Sequence, residues 1–416
     1  MRSFVTLAAL VLAATASLAS PSAWTQFRLH NDNNAALSGT LSASWHLSTG
    51  GGFSSSPALV NGTLYIGNNS GMLYALDPAS GRIIWTYKVS NPLMSAPIVY
   101  GNLVIVGEGN EGSPANASPS RPIHVGAPPS ALIAFDRNSG TRVWLTPLRG
   151  TGMPTPAIVA GVLVHHNGSG SVLALDPASG RVIYVRNVQS IASMSAIVPI
   201  GGDEFLTSGV DPNAVWAMHA KDGSIVWKVL FSSVASGMGD CPVVADRARA
   251  YCNYVLPPSF ATPVQTERTA QFRSFAVDLR NGKKLWDVAL DAGQLPKRNE
   301  AAIPLLAQGS LFVGSSLANV FRALDPASGQ VRWRAPTHGP VKGAAVDVSG
   351  IVYFGDLGGY LWALSASNGH VIGVKNMRTP FNVGSPIVAG QTLIIGSRGG
   401  TLQAIPLANI RAAHDS

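Results

Sequence analysis

Acidic residues are scarce in this chain: 21 Asp and Glu stand against 29 Lys and Arg, and all charged residues together make up 12% of it, about half the usual share. A fold with few carboxylates has few native pairings to lose on protonation, the common route to acid unfolding, so tolerance of low pH is expected. Cysteine is scarcer still, with Cys241 and Cys252 only. No cysteine lies near the N-terminus, which closes the bacterial lipoprotein route and argues against a lipid anchor. No stretch after the first residues reaches 18 uninterrupted apolar side chains, so no membrane-spanning helix is expected. His124 and the pair His165-His166 lack metal-ligand spacing, and neither a catalytic triad signature nor a phosphate loop occurs. No metal site is expected.

What is present begins with an export signal. Arg2 precedes an apolar run from Phe4 to Ala16, and Ser17-Leu18-Ala19 supplies a small-apolar-small cleavage point. Residues 1–19 are therefore read as a signal peptide, 20–40 as an N-terminal extension, 41–410 as one domain and 411–416 as a tail. The predicted location is periplasmic or extracellular. Without the signal, 28 cations face 21 acids, a formal charge of +7. Export argues against nucleic acid as partner, so this balance suits anionic ligands or anionic envelope surfaces.

The domain is built from repeats. Leu73-Tyr74-Ala75-Leu76-Asp77-Pro78-Ala79-Ser80-Gly81, with Trp85 beyond it, recurs so that the Asp slot falls at 77, 136, 176, 219, 278, 325, 365 and 406. Most intervals are 40 to 47 residues, the period of propeller blades. Pro78 presets a turn, Ser80-Gly81 supplies its left-handed position, and Asp77 can cap the turn amides. Upstream of each copy lies a second unit, seen in Leu59-Val60-Asn61-Gly62-Thr63-Leu64, where Asn-Gly between apolar runs signals a hairpin. Eight copies of both units predict an all-β, eight-bladed propeller of four-stranded antiparallel blades. The last copy lacks an outer strand, while Ser42 to Leu47 lacks inner ones, so an N-terminal strand should close the last blade. Trp45, Trp85, Trp144, Trp227, Trp286 and Trp333 share the outer-strand position, with Tyr184 and Gly373 in the other two copies, and read as packing between blades.

Register tests the two cysteines. With Asn61-Gly62 as the turn, Ser56 faces Gly67, and Cys241 and Cys252 fill those slots in blade 5 across a turn at Asp246-Arg247. Directly opposed residues have Cα atoms about 4.5–5.5 Å apart, within disulfide reach. A Cys241–Cys252 disulfide is expected in an oxidising compartment.

In such a blade the entry to the first strand and the link between strands two and three share one face. Two long insertions, about 108–130 in blade 2 and 253–272 in blade 5, fall there. Aligning the blades on Ser55-Ser56-Pro57 places a ring at that mouth: Ser54 and Ser55, Met94 and Ser95, Met153 and Pro154, Ser193 and Met194, Gly239 and Asp240, Ala301 and Ala302, Lys342 and Gly343, Val383 and Gly384. Only Asp240 and Lys342 carry charge, and Glu300 lies one residue outside. This is a candidate small-molecule site in which Lys342 binds an anion and Asp240 or Glu300 handles a proton. The alternatives are an Asp240–Lys342 ion pair or plain solvation at the rim. Met94, Met153 and Met194 either contact a soft or apolar ligand or fill gaps in the packing.

Ala75-Leu76-Asp77 with Ser80-Gly81 and Trp85 resembles the tryptophan-docking PQQ repeat of quinoprotein dehydrogenases and their non-enzymatic relatives, and the resemblance covers nearly the whole chain after the signal. Trp24-Thr25-Gln26-Phe27-Arg28 is similar to the start of many such chains. Three functions follow from that resemblance. Quinoprotein alcohol dehydrogenases carry two adjacent cysteines over the quinone; none occur here, so PQQ with Ca²⁺ is disfavoured. Tetrathionate hydrolases of acidophiles belong to this superfamily, and the acid-poor composition and Met lining are similar to what that small anionic substrate needs. The propeller subunit of the outer-membrane assembly machine is a non-catalytic scaffold, which leaves a protein partner as the third reading.

Overall fold

Period-two alternation between turn signals resolves into eight sheets in the computed structural model, which describes residues 35–109, 129–192, 194–210, 212–232, 241–256, 269–294 and 302–413. The export signal lies outside the described residues. Each sheet is a four-stranded antiparallel meander in chain order; blade 1 runs Ala58–Val60, Thr63–Gly67, Met72–Leu76 and Ile83–Lys88. The eighth takes Ile387–Ala389, Thr392–Gly396 and Thr401–Pro406 from the C-terminus and Trp45–Ser48 from the N-terminus as its outer strand. The predicted closure is present, with Trp45 opposite Ala404 and Ser48 opposite Thr401. A further strand, Ala36–Leu37, pairs in parallel with Ile387–Ala389, so this sheet has five strands. The chain thus enters the fold within the stretch read as an extension.

One contact type joins the blades. The ring of each outer-strand tryptophan covers the turn glycine of the next blade, and its indole N–H donates to a carbonyl there. Trp45 reaches Pro78 O at 2.9 Å, Trp85 reaches Arg137 O at 2.9 Å, and Trp227 reaches Leu279 O at 2.8 Å. Trp144, Trp286 and Trp333 repeat the contact, and the hydroxyl of Tyr184 does so to His219 O at 3.3 Å. A glycine is required beneath each ring: Gly282 sits at φ +70°, and a Cβ there would lie 2.7 Å from Trp227. Gly373 breaks the pattern for a physical reason. Blade 8 has no third-to-fourth turn, because its third strand runs into a short helix, Leu407–Arg411. That helix fills the docking place: a Cβ on Gly373 would lie 2.2 Å from Ile410 O, and Val374 N–H donates to Ala413 O.

Blade 5 departs from its neighbours. Its strands Arg249–Leu256, Thr269–Asp278 and Lys284–Gln294 are 8, 10 and 11 residues long. Tyr254, Val255 and Leu256 pair with Arg273, Phe272 and Gln271, so part of the predicted insertion continues the sheet. Three added residues raise this blade by about 10 Å at the mouth. Arg273 Nε donates to Asp287 Oδ1 and to the Tyr254 hydroxyl, both at 3.0 Å, while Arg322 of blade 6 grips Asp291 through two bonds of 2.9 and 2.7 Å.

The cysteines are joined, with Cα atoms 5.5 Å apart, but their register differs from the expected one. Val243, not Cys241, faces Cys252. Asp246 causes the shift: its Oδ1 accepts from the amides of Ala248 and Arg249, each at 2.7 Å, which centres the turn on Arg247-Ala248. Cys241 precedes the strand and reaches its partner diagonally.

Candidate functional site at the channel mouth

The entries to the innermost strands form a belt bonded from blade to blade. Ala96 N–H donates to Thr155 Oγ1 at 2.9 Å, Thr155 N–H to Ser195 O at 3.2 Å, and Ile303 N–H to Lys342 O at 2.9 Å. Ala344 N–H continues to Ser385 Oγ, and Ser385 N–H to Ser56 Oγ. These bonds place the described entries of blades 2 to 4, and of blades 6, 7, 8 and 1, side by side.

A glycine at the end of the second strand positions several of them. A Cβ on Gly67 would collide with Leu93, on Gly107 with Gly152, on Gly314 with Val341 and on Gly396 with Phe53. Each of those partners directly precedes a ring residue: Met94, Met153, Lys342 or Ser54. In blades 3, 4 and 5 the same slot instead holds His166, Ser208 and Asn253, and each side chain bonds to the incoming segment. His166 Nε2 lies 2.6 Å from Ser190 O and Nδ1 lies 2.9 Å from Thr207 Oγ1. A carbonyl can only accept, so Nε2 carries the hydrogen. Ser208 Oγ donates to Cys241 O, and Asn253 Nδ2 donates to Ala302 O at 2.9 Å. This polar sector was not anticipated from sequence; its signal was the loss of glycine at a fixed repeat position.

The predicted residues divide as follows. Lys342 stands in the ring with 6% of its surface exposed. Ser55 and Met153 are buried, with Ser55 Oγ donating to Ser56 O, while Met94 and Met194 are half-buried. Asp240, Glu300 and His124 lie outside the described residues. Among the described residues the mouth also carries Asp291 on the raised wall, held by Arg322, and two carboxylates held by backbone amides. Glu108 accepts from Ser90 and Asn91, and Asp356 accepts from His338, Tyr360 and the Trp362 indole. Arg149, Arg378 and Arg398 are exposed on connections at the same face. The described part of the mouth is therefore cationic on its surface.

His165 faces away from His166, is fully buried and has no hydrogen-bond partner among the described residues. Burial, with a smaller effect of His166, pushes its pKa down to about 3. No cluster of three or more His, Cys, Asp or Glu that could hold a metal occurs among the described residues. The two cysteines stand 11 positions apart and bond across a hairpin, so they are not an adjacent pair.

Eight four-stranded blades locked by tryptophan docking, with an entry ring at one mouth, define a PQQ-like repeat propeller. The chain belongs to the family whose model is described as outer membrane protein assembly factor BamB, which matches residues 34–193 and 275–411. Tetrathionate hydrolase of Acidithiobacillus ferrooxidans is 24% identical over 85% of this chain and 72% of its own length. Outer membrane protein assembly factor BamB of Yersinia pestis is 23% identical over 84% and 83%. The quinohemoprotein alcohol dehydrogenase of Comamonas testosteroni superposes with a TM-score of 0.67 at 12% identity, over 95% of this chain and 82% of that one, a likeness of fold alone.

Proposed function

We propose that the chain is an exported hydrolase of a small sulfur oxyanion of the tetrathionate kind, acting at the channel mouth. The observation that carries this reading is Lys342, a lysine held almost out of solvent in a ring of small and Met side chains. A cationic side chain at this place in the ring suits a small anionic ligand. Arg149, Arg378 and Arg398 draw an anion toward that face. In the repeat alignment Asp240 falls in the entry slot of blade 5 and Glu300 one residue outside that of blade 6. In this reading one of them takes a proton from the attacking water or gives one to the leaving group, while Lys342 holds negative charge on the substrate. Met94, Met153 and Met194 offer polarizable contacts to divalent sulfur.

Tetrathionate hydrolases match across most of the chain, as assembly factors do, while residues 194–274, which hold Ser208, Asn253 and the disulfide, fall outside the match to the assembly-factor family model. That match nonetheless favours a second reading, a protein-binding scaffold of the envelope. Turnover of tetrathionate by purified protein decides between them. Release of products by wild type, lost in Asp240→Asn with an unchanged melting curve, is expected; full activity in that variant removes Asp240 from the mechanism. No turnover at any pH removes the hydrolase and leaves the scaffold.

A further inference from the structure

Twelve large aliphatic side chains are exposed among the described residues, and ten of them stand on the outer strands of blades 1 to 4. Those strands are Ile83–Lys88, Arg142–Pro147, Val182–Asn187 and Ile225–Ser232. Val143, Val185 and Leu230 are each more than half exposed, at 52%, 58% and 55%. The four strands are consecutive around the rim, because Trp85, Trp144 and Tyr184 each dock on the next blade. Charge is sorted with them. Lys88, Arg142, Arg186 and Lys228 are all exposed, and none of the four strands contains an Asp or Glu. Asp77, Asp136, Asp176 and Asp222 lie in the turns that lead into these strands, each accepting bonds from turn amides. The other side of the rim is different: the outer strand of blade 5 carries Asp287 and Asp291, and that of blade 6 carries Arg332 and Arg334 with no exposed large aliphatic.

We propose that the rim of blades 1 to 4, centred on blades 3 and 4, docks on an anionic lipid surface. Aliphatic side chains interspersed with long cationic ones match a bilayer interface, where the apolar parts enter the headgroup boundary and the cations meet lipid phosphates. The rim is convex, turning about 45° per blade in an eight-bladed ring. A flat surface therefore engages two neighbouring blades, and blades 3 and 4 hold six of the ten aliphatics. A second copy of the chain is the poorer occupant, because rim-to-rim contact would bring Arg186 and Lys228 against their own kind. Docking by the rim lays the propeller axis along the surface and leaves the mouth open to solution, so this proposal stands whether or not the chain is a hydrolase.

Sedimentation of the purified chain with vesicles of phosphatidylethanolamine and phosphatidylglycerol, against pure phosphatidylcholine, tests it. Binding to the anionic vesicles that weakens with salt is expected. Val185→Asp and Leu230→Asp should each weaken it tenfold or more, and Lys228→Gln about fivefold. Val371→Asp, at the exposed aliphatic of blade 7, should leave it unchanged. Absence of vesicle binding at low salt, or equal loss with Val371→Asp, overturns the proposal. A dimer abolished by Leu230→Asp without vesicle binding overturns it in favour of a second copy.

Discussion

His165 sets the acid response of this molecule more than any carboxylate does. In the matching slot five other blades carry Ile66, Val106, Val313, Phe354 and Ile395, all apolar, while blades 4 and 5 carry Thr207 and Cys252, and the imidazole gains no hydrogen bond among the described residues. Its folded pKa of about 3 lies below the ordinary value of 6.5. As pH falls below 6.5 the unfolded chain takes up a proton that the folded chain refuses until about pH 3, so stability drops across that window. At about 1.4 kcal/mol per unit, the loss between pH 7.5 and pH 4 is of order 3 kcal/mol. The carboxylates act later. Turn amides and neighbouring side chains hold Asp77, Asp136, Asp176, Asp222 and Asp278 low, and Arg332 holds Asp325 at about 2. What they contribute is present above their unfolded pKa and fades only as pH falls through the folded value, below pH 4. His165→Ile, which restores the repeat residue, should therefore raise the melting temperature at pH 4 well beyond any gain at pH 7.5. Equal gains at the two pH values would show that the histidine stays uncharged in the unfolded chain too, or is protonated when folded.

At the scale of the element, the raised part of blade 5 depends on charge pairs rather than on apolar packing alone. Arg322 is 2% exposed, its two terminal nitrogens meet Asp291, and its Nε has no partner among the described residues. Removing one member of a buried pair leaves the other uncompensated, at a cost of about 3–5 kcal/mol. Asp291→Asn should lower stability by that amount in chemical denaturation, while Arg322→Met combined with Asp291→Leu should cost less than the single change. A single-variant loss under 1 kcal/mol would show that water already reaches the pair. Little of this wall was legible in sequence. Apolar alternation marked the short strands, but Asn253 to Phe272 lacks the turn spacing of its siblings and reads as an insertion although Tyr254, Val255 and Leu256 extend the sheet. The cysteine pairing was read correctly in its partners and wrongly in its register, because Asp246 recruits the next amides and moves the turn by one residue. The ring slots were legible through the Ser-Pro alignment. His166, Ser208 and Asn253 were not, since only the fold reveals that their slot touches the entry of the following blade.

For the whole molecule, the seam between blade 8 and blade 1 is the place where closure depends on no covalent continuity within the blade. Eight residues from the N-terminal side hold it by several separate means. Trp45 to Ser48 pair with the third strand of blade 8, and Trp45 docks on Gly81 and Pro78 of blade 1. Ala43 N–H donates to Thr392 Oγ1, Leu37 O and Leu41 O accept from Gly390 and Gln391, and the Ala36–Leu37 strand lies against the inner strand. A chain beginning at Thr49 keeps seven complete blades, yet exposes the edge of Thr401–Pro406 and empties the docking place over Gly81. Unpaired edges of this kind recruit other chains. Such a chain should sediment as oligomers, and hydrogen exchange should show blades 1 and 8 losing protection ahead of blades 3 to 6. A peptide of residues 35–48 added in trans should restore the monomer, since every contact of the seam is noncovalent. If the shortened chain remains monomeric with an unchanged exchange pattern, the ring is held by its seven internal dockings and the N-terminal strand is dispensable.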